Sequence, residues 1–232
     1  MDEWTIPHLP VDPGWHGGRP HALVWACELG DPAGGLTDVA RRRLGGLLLP
    51  DYRRQPHITV RYAGLMAAPG LAGYDGAALA ADLACLRGLA DGPVTVVAQG
   101  WDTFPMVPYL ALGADWLHRA HEALPSPGDD GSMTYRPHLT VGQYAHRVRL
   151  DDVRAQLAGL AWSGQWVVRE LALLRYDTDD ISGPLALEGR FDLTTGEFTP
   201  AAGGVLASSE PGGKPEPQGG GDQHRDLGQL HQ

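Results

Sequence analysis

Residues 56–60 read Pro-His-Ile-Thr-Val, and residues 137–141 read Pro-His-Leu-Thr-Val. Eighty-one residues separate His57 from His138; Arg54 and Arg136 stand just before the two pentapeptides, and Tyr62 and Tyr144 a few residues after them. Each pentapeptide alternates polar and apolar side chains, the period-2 pattern of a strand with one face in a core. Residues i and i+2 of a strand share a face. His57 and Thr59 therefore project together, with Ile58 and Val60 turned to the core, and His138 and Thr140 do the same over Leu139 and Val141. A strand repeated at this spacing predicts two similar halves about a pseudo-twofold axis, with two imidazoles and two hydroxyls facing one cleft.

The flanking sequence alternates strand and helix signals. Strands are predicted over 21–29, 57–62, 93–99, 107–112, 138–144, 166–174 and 185–193, the last two joined as a hairpin around Ser182-Gly183-Pro184. Helical spacing of apolar residues predicts helices over 36–48, 77–89, 114–124 and 150–160. Thr37 or Asp38 reads as the N-cap of the first of these, and Gly45-Gly46 weakens its end. Helices mixed with hairpins give an α+β (mixed α/β) class. One domain is expected over 19–200, preceded by an irregular lead-in over 1–18. Residues 203–232 are polar, Gly/Pro-rich and aperiodic, the composition of a disordered tail.

Composition narrows the function classes. Gly and Pro supply 51 of 232 residues, and hydrophobic residues 43%, enough for a packed core with many turns. No apolar stretch of about 20 residues is present, so no transmembrane helix is expected, and the acidic start lacks a secretory apolar region. A cytoplasmic monomer is the expectation. Cys27 and Cys85 are too few for a disulfide scaffold. The net charge of −10 argues against a broad surface for duplex DNA, while a small basic pocket for one phosphate stays compatible with it. Lys214, in the tail, is the only lysine beside 17 arginines. That removes Schiff-base chemistry, a lysyl-nucleotide intermediate and a P-loop lysine from the globular part.

A pair of imidazoles near pKa 6.5 can supply one base and one acid at neutral pH. Two threonine hydroxyls beside them can donate to the non-bridging oxygens of a phosphate. Such a set suits in-line attack at phosphorus and requires neither metal nor cofactor. One His-x-Thr on a strand is commonly no more than its polar face; two matched copies are much harder to dismiss.

The two motifs, His57-Ile-Thr-Val60 and His138-Leu-Thr-Val141, resemble those of the 2H phosphoesterase superfamily, the 2′-5′ RNA ligase and 2′,3′-cyclic phosphodiesterase group. Pro56 to Gly64 is similar to the family's first motif, and Arg169–Arg175 with Gly189–Leu193 to its closing strand pair. The resemblance spans about residues 20–193 and implies a bilobal fold: two lobes of antiparallel sheet, helices outside, the active site in the groove between them. It implies a metal-independent phosphoesterase, with His57 as acid on the leaving oxygen and His138 as base on water. The implied substrates are RNA 2′,3′-cyclic phosphate ends, hydrolysed to 2′-phosphates, with 2′-5′ ligation as the reverse. Alternatives are a phosphodiesterase on a small nucleotide (a cyclic ADP-ribose phosphate or a 2′-5′ oligoadenylate) and a non-catalytic binder of RNA ends. Many members carry an Arg after the second motif, where this chain has Gly142-Gln143.

Further candidates follow from position alone. By strict alternation Arg61 shares the His57–Thr59 face, and Arg136 and Tyr144 share that of His138–Thr140; the arginines are candidates for phosphate and the tyrosine for a base. His118 and His121, with Asp115 one turn earlier, have the spacing of metal ligands but read better as a polar helix face, so no metal site is expected. Arg41-Arg42-Arg43 reads as a solvated run.

Overall fold

The computed structural model describes residues 3–8, 12, 14–127 and 134–206. Among these lie nine strands and four α-helices: β1 His21–Glu28, α1 Gly30–Leu44, β2 His57–Leu65, α2 Gly76–Arg87, β3 Val94–Thr103, β4 Pro108–Gly113, α3 Asp115–Ala123, β5 His138–Thr140, α4 Leu150–Leu157, β6 Gln165–Val168, β7 Glu170–Asp177, β8 Ala186–Asp192 and β9 Phe198–Pro200. All strands join one antiparallel sheet in the order β6-β3-β4-β5-β2-β1-β7-β8-β9. The motif strands β5 and β2 are neighbours at its middle, and each leads outward into its own lobe.

The lobes are not contiguous in sequence. The expected single strand over 166–174 is two: β6 pairs with β3 in the second lobe, and β7 crosses back to pair with β1 in the first. Chain segments thus interleave across the pseudo-twofold axis, so neither half of the sequence closes a lobe alone. The predicted hairpin at 182–184 is formed by β7 and β8, and β9 adds an edge strand that was not predicted.

The core lies on the face opposite the motif histidines. Ile58, Val60 and Leu139 pack there with Leu83 and Leu86 of α2 and Trp116, Leu117 and Ala120 of α3. A second cluster joins Ala40 and Leu44 of α1 to Val153 and Leu157 of α4 and to Val141 beyond β5.

Helix α1 starts at Gly30, earlier than the expected cap at Thr37 or Asp38. Pro32 falls in its first turn, where a missing N–H costs nothing, and buried Thr37 donates to the Gly34 carbonyl at 2.9 Å. Its end matches the expectation: Gly45 takes φ +51°, a value that favours glycine.

The described residues of the lead-in are irregular but docked, with the Thr5 N–H donating to Val148 O at 2.8 Å. The expected disordered tail lies outside the described residues from 207 onward. Its first four residues are placed: the Leu206 N–H donates to Glu188 Oε2 at 3.1 Å, and its side chain packs against the core.

Candidate active site

His57 and His138 are the first residues of β2 and β5. The strands pair antiparallel through Ile58 and Leu139. That register sets His57 across from Thr140 and Thr59 across from His138, all four on the face away from the core. The histidines are thus diagonal neighbours, which on a sheet lie about 7–8 Å apart. Each imidazole is held the same way. The Nδ1 of His57 lies 2.6 Å from the Gln55 carbonyl, and that of His138 lies 2.7 Å from the Arg136 carbonyl, two residues back in both cases. A carbonyl only accepts, so Nδ1 carries the proton and Nε2 is the nitrogen left for chemistry.

The supports differ. Gln55 is clamped by its side chain: Nε2 donates to Leu185 O and Oε1 accepts from Leu185 N–H, both at 2.8 Å. The ring of His138 instead meets the edges or faces of Phe104 and Tyr109, with centroids 5.2 and 5.4 Å away. Tyr109, which pairs with Thr140, is wholly buried and donates to Asp102 Oδ2 at 3.3 Å. Burial drives the His57 pKa down to about 4; the Gln55 bond opposes this, and the charges of Arg54 and His138 add to it. Burial likewise lowers His138, against the Arg136 carbonyl bond and with the Arg136 charge. Both rings are therefore neutral in the free protein at pH 7.

Arg136 lies on the groove face as the alternation predicts, with Nη1 donating to the Tyr109 hydroxyl at 2.8 Å. Two other candidates are displaced. The register between β1 and β2 shifts at Val60–Arg61, so that Trp25 of the core pairs with Arg61 while Ala26 pairs with Thr59. This β-bulge reverses the alternation. Arg61 Nη1 lies 2.8 Å from His121 Nε2 on α3, away from the groove, and Tyr62 takes the groove face with Val24 and Ala26. Tyr144 is wholly buried in the α1–α4 cluster, its hydroxyl bonded to Thr103. The predicted strand over 138–144 stops at Thr140, so alternation does not carry to residue 144.

His121 has both nitrogens engaged, Nδ1 with Val60 O at 2.7 Å and Nε2 with Arg61, and its ring stacks on Tyr135 at 4.0 Å. It ties α3 to β2 rather than presenting a lone pair to a metal. Just after the second motif, the Gln143 Oε1 accepts from Ser182 Oγ at 2.5 Å. Gln55, before β2, and Gln143, after β5, thus tie the β7–β8 loop to one end of the motif strand pair.

Sequence reading missed Phe104, Tyr109, Tyr62 and Tyr176 as groove residues. Strand register brings the three tyrosines there and the β3–β4 turn brings Phe104, and nothing local in the sequence marks them. A cavity of about 560 Å³ opens beside Arg136, with Gln99, Gly113, His118 and Tyr135 in its wall.

Two imidazoles and two threonines share one face where the two lobes join, the candidate site of this fold. Residues 33–180 match the family described as the 2′-5′ RNA ligase superfamily, and the chain belongs to it. Among solved structures, TT0787 of Thermus thermophilus is 18% identical at a TM-score of 0.50, covering 75% of this chain and 98% of that one. The E. coli protein LigT in complex with 3′-AMP is 14% identical at a TM-score of 0.50, covering 76% and 99%. These likenesses establish the fold. No curated protein matches the sequence.

Proposed function

We propose that this protein is a metal-independent phosphoesterase that opens a ribose 2′,3′-cyclic phosphate to a 2′-phosphate. The observation that carries the reading is the pair of imidazoles, each fixed through Nδ1 and each paired with a threonine on one face of adjoining strands. A phosphate between them meets one Nε2 on either side. In the family's assignment, His138 Nε2 takes a proton from water as its oxygen attacks phosphorus. The bond from phosphorus to O3′ breaks, and His57 Nε2–H returns a proton to O3′. The Thr59 and Thr140 hydroxyls donate to the non-bridging oxygens, where charge accumulates. Both histidines begin neutral, so the bound phosphate anion itself favours the protonated acid. With the 5′-hydroxyl of a second ribose in place of water, the same displacement forms the P–O5′ bond as P–O3′ breaks, giving a 2′-5′ linkage without ATP.

The chain's net charge of −10 favours small nucleotides or short RNA ends over long RNA as substrate. The test is turnover of 2′,3′-cyclic mononucleotides in EDTA, with the product phosphate located by phosphorus NMR. A 2′-phosphate product that forms undiminished in chelator supports the reading. A 3′-phosphate product, or activity that returns only with added metal, refutes the mechanism. Tight binding without turnover makes the protein a nucleotide-binding module.

A further inference from the structure

The first lobe's wall of the groove holds two arginines that no carboxylate neutralises among the described residues. Arg54 stands three residues before His57, with its guanidinium carbon 4.6 Å from the centre of the Tyr176 ring. Tyr176 is on the groove face: it pairs with Ala22, Leu174 pairs with Val24, and Ala26 pairs with Thr59. The Arg54 Nε is buried and makes no hydrogen bond. Arg19 approaches from the lead-in: its charge acts on Tyr62, its Nε is also buried and unbonded, and its Nη1 has only the His16 carbonyl at 3.3 Å.

The acids nearby are otherwise engaged. Asp180 pairs with Arg53 at 2.6 Å, and Asp179 lies 3.4 Å from His16. Elsewhere, half-buried arginines are neutralised: Arg175 by Glu188 and Arg190 by Glu28, each at 2.6 Å. Desolvating a guanidinium without a partner is costly, and an anion that joins it restores the loss. A planar cation stacked on a ring keeps its donating edge fixed, which suits bidentate contact with a phosphate.

We propose that Arg54, stacked on Tyr176 and supported by Arg19, forms a second anion site that holds a substrate phosphate other than the one attacked. The proposal rests on the reading above. The Arg54 charge also reaches His57, so an anion seated there favours the protonated His57 that the acid step uses. The shared ligand chemistry is a non-scissile phosphate, from either a 5′-phosphomonoester or the next phosphodiester of an RNA end.

The test is calorimetric titration of the full chain with product-like ligands, which bind without turnover. A nucleoside 2′-monophosphate, the matching 2′,5′-bisphosphate, and a 5′-hydroxyl dinucleotide ending in a 2′-phosphate are compared on wild type, Arg54→Gln and Arg54→Lys. The second phosphate should improve wild-type binding by about 10- to 100-fold, the worth of a charged hydrogen bond. Arg54→Gln should bring that ratio near one, and Arg54→Lys should restore part of it, with thermal melts showing both variants folded. The bisphosphate gaining alone assigns the site to a 5′-monoester; an equal gain for the dinucleotide assigns it to the chain. A wild-type ratio near one, or a ratio unchanged in Arg54→Gln, overturns the second site while leaving the active-site reading in place. Failure of even the 2′-monophosphate to bind overturns both.

Discussion

Ile58 of β2 pairs with Leu139 of β5, and both side chains are wholly buried. This contact on the core face fixes what stands on the other face, since the strands' side chains alternate. A slip of one residue would send His57 and Thr59 into the core. The groove-facing side chains are thus held in register by the hydrophobic effect beneath them.

His57→Ala and His138→Ala are each expected to lower kcat by about 10²- to 10⁴-fold, the typical worth of a general acid or base. Their double variant should be little worse than either, because acid and base act as a unit. Turnover of a 2′,3′-cyclic nucleotide measures this. Near-wild-type rates in either single variant would reduce that histidine to structure.

Thr59→Val and Thr140→Val should cost less, about tenfold each for one lost hydrogen bond to a charged oxygen. The loss should fall on kcat more than on KM if the hydroxyls act as charge builds. A change confined to KM would place them in ground-state binding instead.

The pH profile of kcat/KM should be a bell centred below pH 6.5. Both imidazoles have lowered pKa values in the free protein, His57 to about 4, and kcat/KM reports the free enzyme. The base must be neutral and the acid protonated, so both limbs lie on the acid side of an ordinary histidine pair. An optimum above pH 7 would contradict this.

Stability should rise with pH between about 4 and 6.5. In that window the unfolded chain binds a proton at His57 that the folded chain refuses, so acid favours unfolding. The full effect is about 3 kcal/mol, with His138 acting in the same direction. Urea melts from pH 4 to 7 measure it, and His57→Gln should flatten the slope.

Asp82 is buried on the core side, where its Oδ2 accepts from Trp25 Nε1 and from the Tyr74 hydroxyl, both at 2.7 Å. Burial raises its pKa against the opposing effect of those two bonds, so its charge is a cost at neutral pH. Asp82→Asn keeps an acceptor and should be at least as stable as wild type at pH 8, its advantage shrinking as pH falls and Asp82 protonates. Asp82→Leu strands two buried donors and should lose about 2–5 kcal/mol. Equal melting of the two variants at pH 8 would show that those bonds contribute nothing.

The placement of the candidate site's four motif residues on one face was legible because its signal is local. His57, Thr59, His138 and Thr140 each depend on one two-residue alternation, and each motif strand begins at its histidine as expected. Alternation failed where the backbone broke it. The bulge at Arg61 and the end of β5 at Thr140 both reassigned side chains, and neither is marked by glycine or proline at the position itself.

Periodicity and composition, which act over a few residues, were enough to establish two His-x-Thr strands with apolar undersides, helices between the strands, and a globular part without lysine. Three-dimensional packing was needed to send β6 and β7 into opposite lobes, to bring Tyr109 and Phe104 to His138, and to stack Arg54 on Tyr176 beside His57. Those contacts join segments distant in the chain. They arise because each amphipathic strand must find a neighbour that completes its hydrogen bonds and buries its apolar face, and that choice is made by the whole sheet at once.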